Sequence, residues 1–213
     1  RYIYYDFYKT INEHCLNGNI LEIGGGIGNF NIEGRDVIRT DIQLSKTISL
    51  EADAHKLPFS NSSFSNIILI DVLHHLDCPV NFLKEASRVL TPQGRLIMIE
   101  PGITPISWLF YNFLHEEDVD FSWKPSKKCI PKANKNPYEA NQAIPTLLFN
   151  KYYLILSDLN LSLISKKWMS LFVYPLSGGF KKWSLVPSFL VNFLLGIEKK
   201  LIPLLGPLMG QAM

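Results

Sequence analysis

The chain has few cysteines, almost no net charge and no long uninterrupted apolar run, and each shortage closes off a class of protein. Cys15, Cys78 and Cys129, the 3 cysteines among 213 residues, show neither pairing nor metal-ligand spacing. A disulfide scaffold and a zinc module are set aside, and the cysteines read as ordinary thiols of a reducing compartment. A net charge of +2 makes no case for nucleic acid. No stretch clearly reaches the roughly 20 apolar residues of a membrane span. No secretory signal, internal repeat or low-complexity tract is visible. The expected location is cytoplasmic. The chain begins at Arg1 rather than methionine, so residues upstream are expected. No Gly-Lys-Ser/Thr follows a glycine loop, which excludes a Walker phosphate site.

The length suits one domain with a real core. Its charge is unevenly spread. Residues 1–120 hold 9 Lys/Arg against 16 Asp/Glu, and residues 121–213 hold 12 against 3. Such asymmetry marks a surface that meets an anionic partner.

The stretch from Asn19 to Asn29 organises the rest. Ile20, Leu21 and Ile23 form a short apolar run that stops at Gly24-Gly25-Gly26. A buried parallel strand ends in a tight turn in this way. Glu22 is the odd residue, because a buried carboxylate is costly unless something satisfies it, and a ligand ammonium would do so. The order Glu-x-Gly-x-Gly-x-Gly differs from the nicotinamide fingerprint, whose acid lies about 20 residues on.

Strand and helix signals then alternate. Residues 1–18 read as an aromatic helix, packed beside a ligand pocket or covering the sheet. Residues 30–35 are too short and polar for a full crossover helix. Strands are expected over 37–42, 48–50, 67–70 and 95–101, with a helix over about 80–90. Asp41 falls at a strand end, where it reads as a ribose acceptor or as an exposed loop acid. A doubly wound sheet follows from this alternation.

Residues 104–114 read as a helix, and a long Lys/Pro/Asn-rich loop to about residue 137 reads as a lid. A helix kinked near Pro145 and an amphipathic helix to Leu159 come next. One or two strands are expected over 161–173. The tail from Trp183 is apolar but interrupted by Glu198-Lys199-Lys200 and Pro203. Lysines 166, 167, 181, 182, 199 and 200, with Trp168 and Trp183, fit a membrane-surface face. The preferred alternative is a helix packed on the domain or on a second copy.

Five motifs occur in a fixed order: Leu-Glu-Ile-Gly-Gly-Gly-Ile-Gly, Thr-Asp-Ile, Ala-Asp-Ala-His-Lys-Leu-Pro-Phe, Asp-Val-Leu-His-His-Leu and Arg-Val-Leu-Thr-Pro-Gln-Gly-Arg-Leu. Together they resemble the class I S-adenosylmethionine-dependent methyltransferases, in the type-11 subgroup that includes quinone-biosynthesis enzymes. They cover residues 19–101, about half the chain. The resemblance implies an α/β, Rossmann-like, doubly wound, mostly parallel sheet. Residues 19–101 would form the cofactor core, 102–160 a lid and acceptor insertion, and 161–213 the last strands and an apolar helical segment.

The resemblance also implies S-adenosylmethionine as cofactor, with S-adenosylhomocysteine as product. Glu22, Gly24, Gly25 and Gly26 would hold its amino-acid end. Asp41 and Ile42 would hold the ribose, and Asp53 with Ala54 the adenine. Asp71 and Val72 would line the same pocket. Methyl transfer to a hydroxyl is helped by a base, and histidine titrates near neutrality. His74, His75 and His115 are the candidates, with Asn141 and Gln142 as acceptor hydrogen-bonders. A metal site at His115, Glu116, Asp118 and Asp120 is set aside as a solvated acidic run, so no metal is assigned. The expected activity is O-methylation of a small-molecule, glycan or lipid-linked acceptor. The rivals are a non-catalytic cofactor-binding subunit and a membrane-surface methyltransferase of a quinone-like lipid. A homodimer fits either.

Overall fold

A computed structural model describes residues 2–26, 30–32, 34–113, 117–132, 136, 138–176 and 184–213. His115, Glu116, Lys181, Lys182 and Trp183 therefore lie outside the described residues.

Five strands form one parallel sheet in the order β3-β2-β1-β4-β5. They are β1 (Ile20–Ile23), β2 (Val37–Asp41), β3 (Leu50–Glu51), β4 (Phe64–Ile70) and β5 (Leu90–Ile99). Alternate residues along each strand point to opposite faces. Leu21, Ile67 and Leu69 face α2 (Pro79–Val89), against Val80, Leu83 and Ala86. Ile20, Ile68 and Ile99 face α1 (Tyr2–His14) and α6 (Ser188–Met209), against Phe7, Ile11, Val191 and Leu195. Helices thus cover both faces, which is why the inner strands read as unbroken apolar runs.

The chain order reverses between β1 and β4. β1 pairs with β2 on one side and β4 on the other. The connections leaving these two neighbours diverge, and this opens a crevice at their carboxyl ends.

Beyond β5 several expectations change. After α3 (Pro105–Phe113), Pro145 lies in the short α4 (Ala143–Thr146). Its missing N–H falls in the first turn, where no helical acceptor exists. The helix then widens into a π-turn, Leu147–Lys151, and tightens into 3₁₀ turns over Tyr153–Leu159. Residues 161–169 are extended but join no strand pair, and pairing here is limited to one bridge from Ser170 to Ala212. Residues 162–167 are exposed, so their alternation has no buried face to fix a register. After the short α5 (Val173–Leu176), the interrupted tail forms one 22-residue helix, α6, with Pro203 and Pro207 inside it. Among the described residues, no helix is long and apolar enough to cross a membrane.

Trp168, which also fitted an interfacial surface, is wedged against glycines, in line with the preferred packed alternative. A Cβ at Gly102, Gly206 or Gly210 would come within 2.2, 2.6 or 2.4 Å of its ring or Cβ side. Cys78 and Cys129, expected as thiols, form a disulfide with Cα atoms 5.6 Å apart. Their sequence separation of 51 gives no spacing signal, since the loop after α3 must fold back first. Cys15 is the free, half-buried thiol.

Candidate functional site

The glycine loop turns at the carboxyl end of β1, beside the crevice. Gly24 and Gly26 have φ of 67° and 49°, a region that favours glycine. A Cβ on Gly24 would lie 2.4 Å from Val72 Cγ2, so the loop passes directly against the end of β4. The Gly26 N–H donates to Asp41 Oδ2 at 3.0 Å, and the Gly26 carbonyl accepts from Ser45 Oγ and Thr47 Oγ1. The ends of β1 and β2 are thereby locked together. Asp41 Oδ1 accepts the Gln43 N–H at 3.0 Å, and Ile42 beside it is exposed.

Glu22 sits inside β1, directly opposite Arg39 of β2. Its Oε2 lies 3.0 Å from Arg39 Nε. Burial still pushes its pKa up to about 7, although the guanidinium pulls the other way. The partner foreseen for this carboxyl was a ligand ammonium. Arg39 is one that the chain itself supplies.

Past β3, Asp53 is exposed and Ala54 buried. Asp53 Oδ1 accepts the His55 N–H at 2.9 Å and lies 2.7 Å from His55 Nδ1. His55 Nε2 in turn accepts the Cys78 N–H at the start of α2. The Ala52 N–H donates to the Asp41 carbonyl, so this segment runs beside the end of β2.

The fourth strand delivers the densest chemistry. Asp71 ends it with φ of 55°, a left-handed conformation that aspartate tolerates. Burial pushes the Asp71 pKa up to about 6, with the His74 charge opposing and Glu100 adding to the rise. Tyr4 of α1 donates its hydroxyl to Asp71 Oδ2 at 3.3 Å. Helix α1 therefore serves both roles left open, since Phe7 and Ile11 cover the sheet while Tyr4 reaches the crevice.

A short 3₁₀ turn, Leu73–His75, follows. Glu100, at the end of β5, is 1% exposed and organises this turn. Its Oε1 accepts the Val72 and Leu73 N–H groups at 3.0 and 2.8 Å, and its Oε2 faces His74 Nδ1 at 2.7 Å. Burial alone would lower the His74 pKa, but the Glu100 hydrogen bond and the charges of Glu100, Asp71 and Glu117 raise it. Burial and the neighbouring His74 lower that of His75. The two imidazole centroids are 4.3 Å apart. Glu117 faces both rings, with Oε2 3.7 Å from His74 Nε2 and Oε1 3.9 Å from His75 Nε2. Gln142 Nε2 donates to Glu117 Oε2.

The crevice thus gathers Glu22, Gly24–Gly26, Asp41, Asp71, Val72, His74 and His75, with Asp53 and Ala54 following the adjacent edge. Asn141 is engaged within its own loop. Its Oδ1 accepts from Asp120 and Ala143, and its Nδ2 donates to the Asp120 carbonyl. Asp120 Oδ1 caps Ser122. Glu100, Glu117, Arg39 and Tyr4 were missed. Glu100 carried the same signal as Glu22, a lone carboxyl closing an apolar strand. Glu117 lay within an acidic run that reads as solvated. A cavity of about 1110 Å³ lies along the outer edge of β5, lined by His14, Gln93, Arg95, Leu163 and Lys167, and none of the glycine-loop residues lines it.

A parallel, doubly wound sheet with a glycine turn at its switch point and an acid after the second strand defines the class I methyltransferase fold. Residues 21–98 match the family described as a methyltransferase domain. The cofactor of that family is S-adenosylmethionine. The ubiquinone/menaquinone biosynthesis C-methyltransferase UbiE of Haemophilus ducreyi is 32% identical over 101 residues, 46% of this chain and 35% of that protein. An uncharacterized protein of Methanocaldococcus jannaschii is 29% identical over 104 residues, 45% of this chain and 51% of that one. The matches thus span between a third and a half of these relatives' lengths. The solved YcgJ protein of Bacillus subtilis shares the fold with a TM-score of 0.51 at 17% identity, covering 92% of this chain and 82% of that chain.

The residues present fit the cofactor. A Cβ at Gly24 would collide with Val72, whereas one at Gly26 would meet only the Gly24 carbonyl at 3.9 Å, so the open side of the loop is at Gly26, where the Asp41 carboxyl also stands. Bound S-adenosylmethionine supplies an electrophilic methyl group on sulfur.

Proposed function

We propose that the chain transfers the methyl group of S-adenosylmethionine to a hydroxyl oxygen of a lipid-linked or similarly apolar acceptor. The observation that carries this reading is the glycine turn packed through Gly24 against Val72, whose N–H donates to the same Glu100 that holds His74. Glu22 and the loop amides would hold the amino-acid end, Asp41 the ribose, and Asp53 with Ala54 the adenine. The chain's contribution is position and orientation. His75, half-buried and lowered in pKa, is the proposed acceptor of the hydroxyl proton. His74, held through Nδ1 by Glu100, positions it.

The first test is calorimetric titration of the chain with S-adenosylmethionine, beside Asp41→Ala. Binding that is lost in the variant supports the site. No binding by the folded wild type refutes it. Binding without turnover across hydroxylated acceptors would favour the non-catalytic subunit.

One observation favours work at a membrane surface. Phe189, Phe193, Ile197, Leu204 and Leu208 of α6 are all exposed, and their spacing places them along one side of the helix with Lys200. The relative named for quinone biosynthesis is in keeping with a lipid acceptor. Co-sedimentation with anionic vesicles at physiological salt, reduced by Phe193→Asp, is expected. No co-sedimentation removes this reading and leaves a soluble acceptor.

A further inference from the structure

We propose that His74, His75 and Glu117 form a binding site for a divalent first-row transition-metal cation. The inference stands on the geometry of these side chains and does not depend on the methyl-transfer reading.

One nitrogen of each ring and one carboxyl oxygen all lie within 4.8 Å of one another. Two imidazoles and a carboxylate are a recurrent donor set for zinc and ferrous iron, with positions left open. Tetrahedral ligands about 2.1 Å from an ion stand about 3.4 Å apart. The Glu117 oxygens stand 3.7 and 3.9 Å from the two Nε2 atoms, too far for hydrogen bonds and near the ligand separation.

The surroundings fit as well. A ligating histidine typically donates its other ring N–H to a carboxylate. Glu100 holds His74 Nδ1 at 2.7 Å, so in the neutral ring Nε2 carries the lone pair, directed at Glu117, where an ion would take the place of the second proton. Gln142 donates to Glu117 and fixes that carboxyl in turn. Adjacent residues of a 3₁₀ turn leave the helix axis in directions about 120° apart, yet the centroids of these two rings lie only 4.3 Å apart. A shared ion accounts for two imidazoles converging on one carboxyl. Two nitrogen donors select Zn²⁺, Co²⁺, Ni²⁺ or Fe²⁺ over Mg²⁺ and Ca²⁺, which prefer oxygen. With an ion bound, His75 serves as a ligand in place of the proton-accepting role proposed above, and an oxygen of an acceptor would complete the coordination.

The test is calorimetric titration of the chelator-treated chain with Zn²⁺ alone. One saturable equivalent is expected, unaffected by millimolar Mg²⁺. Glu117→Gln keeps shape and the Gln142 contact region, and should weaken binding by on the order of 100-fold or more, while Glu100→Gln weakens it about 10- to 100-fold. Co²⁺ should give visible d–d absorption that Glu117→Gln abolishes. Circular dichroism confirms that each variant is folded. No saturable Zn²⁺ binding by the folded wild type overturns the proposal. Equal binding in wild type and both variants also overturns it, by placing the ion elsewhere. None of these readouts uses S-adenosylmethionine, so failure of the cation site and failure of the methyltransferase reading are separate results.

Discussion

Replacing Glu100 by glutamine separates a hydrogen-bonding role from a packing role. The native carboxyl accepts from the Val72 and Leu73 amides through Oε1 and meets His74 through Oε2. Glutamine can keep the first two bonds through its carbonyl oxygen. Its amide then stands where Oε2 was, as a donor facing His74 Nδ1. The ring proton must move to Nε2, or the contact is lost. The exchange forfeits one buried charge-assisted bond, about 2 kcal/mol. Alanine also strands the buried Leu73 and neighbouring Val72 amides, so its cost rises to about 3–5 kcal/mol. Urea unfolding measures both, and nitrogen NMR of the imidazoles reports the tautomer. Equal losses in the two variants, or an unchanged His74 tautomer with the contact to residue 100 kept in the glutamine variant, would refute the reasoning.

Other outcomes follow from the same contacts. Glu22 keeps its proton to about pH 7 when folded but only to about 4.5 when unfolded, so the native state binds more protons between these values. The contribution of Glu22 to stability is therefore full below pH 4.5 and declines by roughly 3 kcal/mol as the pH rises to about 7. Glu22→Gln should flatten that part of the profile, read by urea titrations at pH 5 and pH 8. Gly206→Ala brings a Cβ to 2.6 Å from Trp168, and should destabilise by about 1–3 kcal/mol. Gly196→Ala, on the same helix with nothing within 4 Å, should raise stability by up to about 1 kcal/mol in the same thermal melts. Reducing the Cys78–Cys129 bond reopens a 51-residue loop and should cost about 4 kcal/mol on the chain-entropy account, seen as a lower urea midpoint with dithiothreitol.

The half of the chain up to β5 was legible because its signals are local. Buried strands announce themselves as apolar runs, glycines mark the turn, and Asp41 and Asp71 close strands where ligands sit. The second half was less so. The alternation over 161–173 looks like strand, but strand pairing needs a buried face, and residues 162–167 have none. The broken tail looks discontinuous, yet α6 continues through Pro203 and Pro207 because its other face packs on the core. The site itself was half visible. His74 and His75 were singled out from their place after β4, whereas Glu100 and Glu117 act on them from 25 or more residues away in sequence, a relation that only tertiary packing creates.

The pairing of Glu100 with Met213 ties the site to a schedule of synthesis. Each residue donates its N–H to the other's carbonyl, and Gly102 donates to Gln211 beside them. A ribosome adding 5–20 residues per second needs roughly 6–20 s to travel the approximately 110 residues between these partners. The glycine turn, β2 and β4 can associate during that interval. The backbone that carries Glu100 cannot be completed on one side until residues 211–213 leave the exit tunnel. The glycine-loop half is thus free to mature during translation, while the histidine turn reaches its final form only after the last of these residues appears.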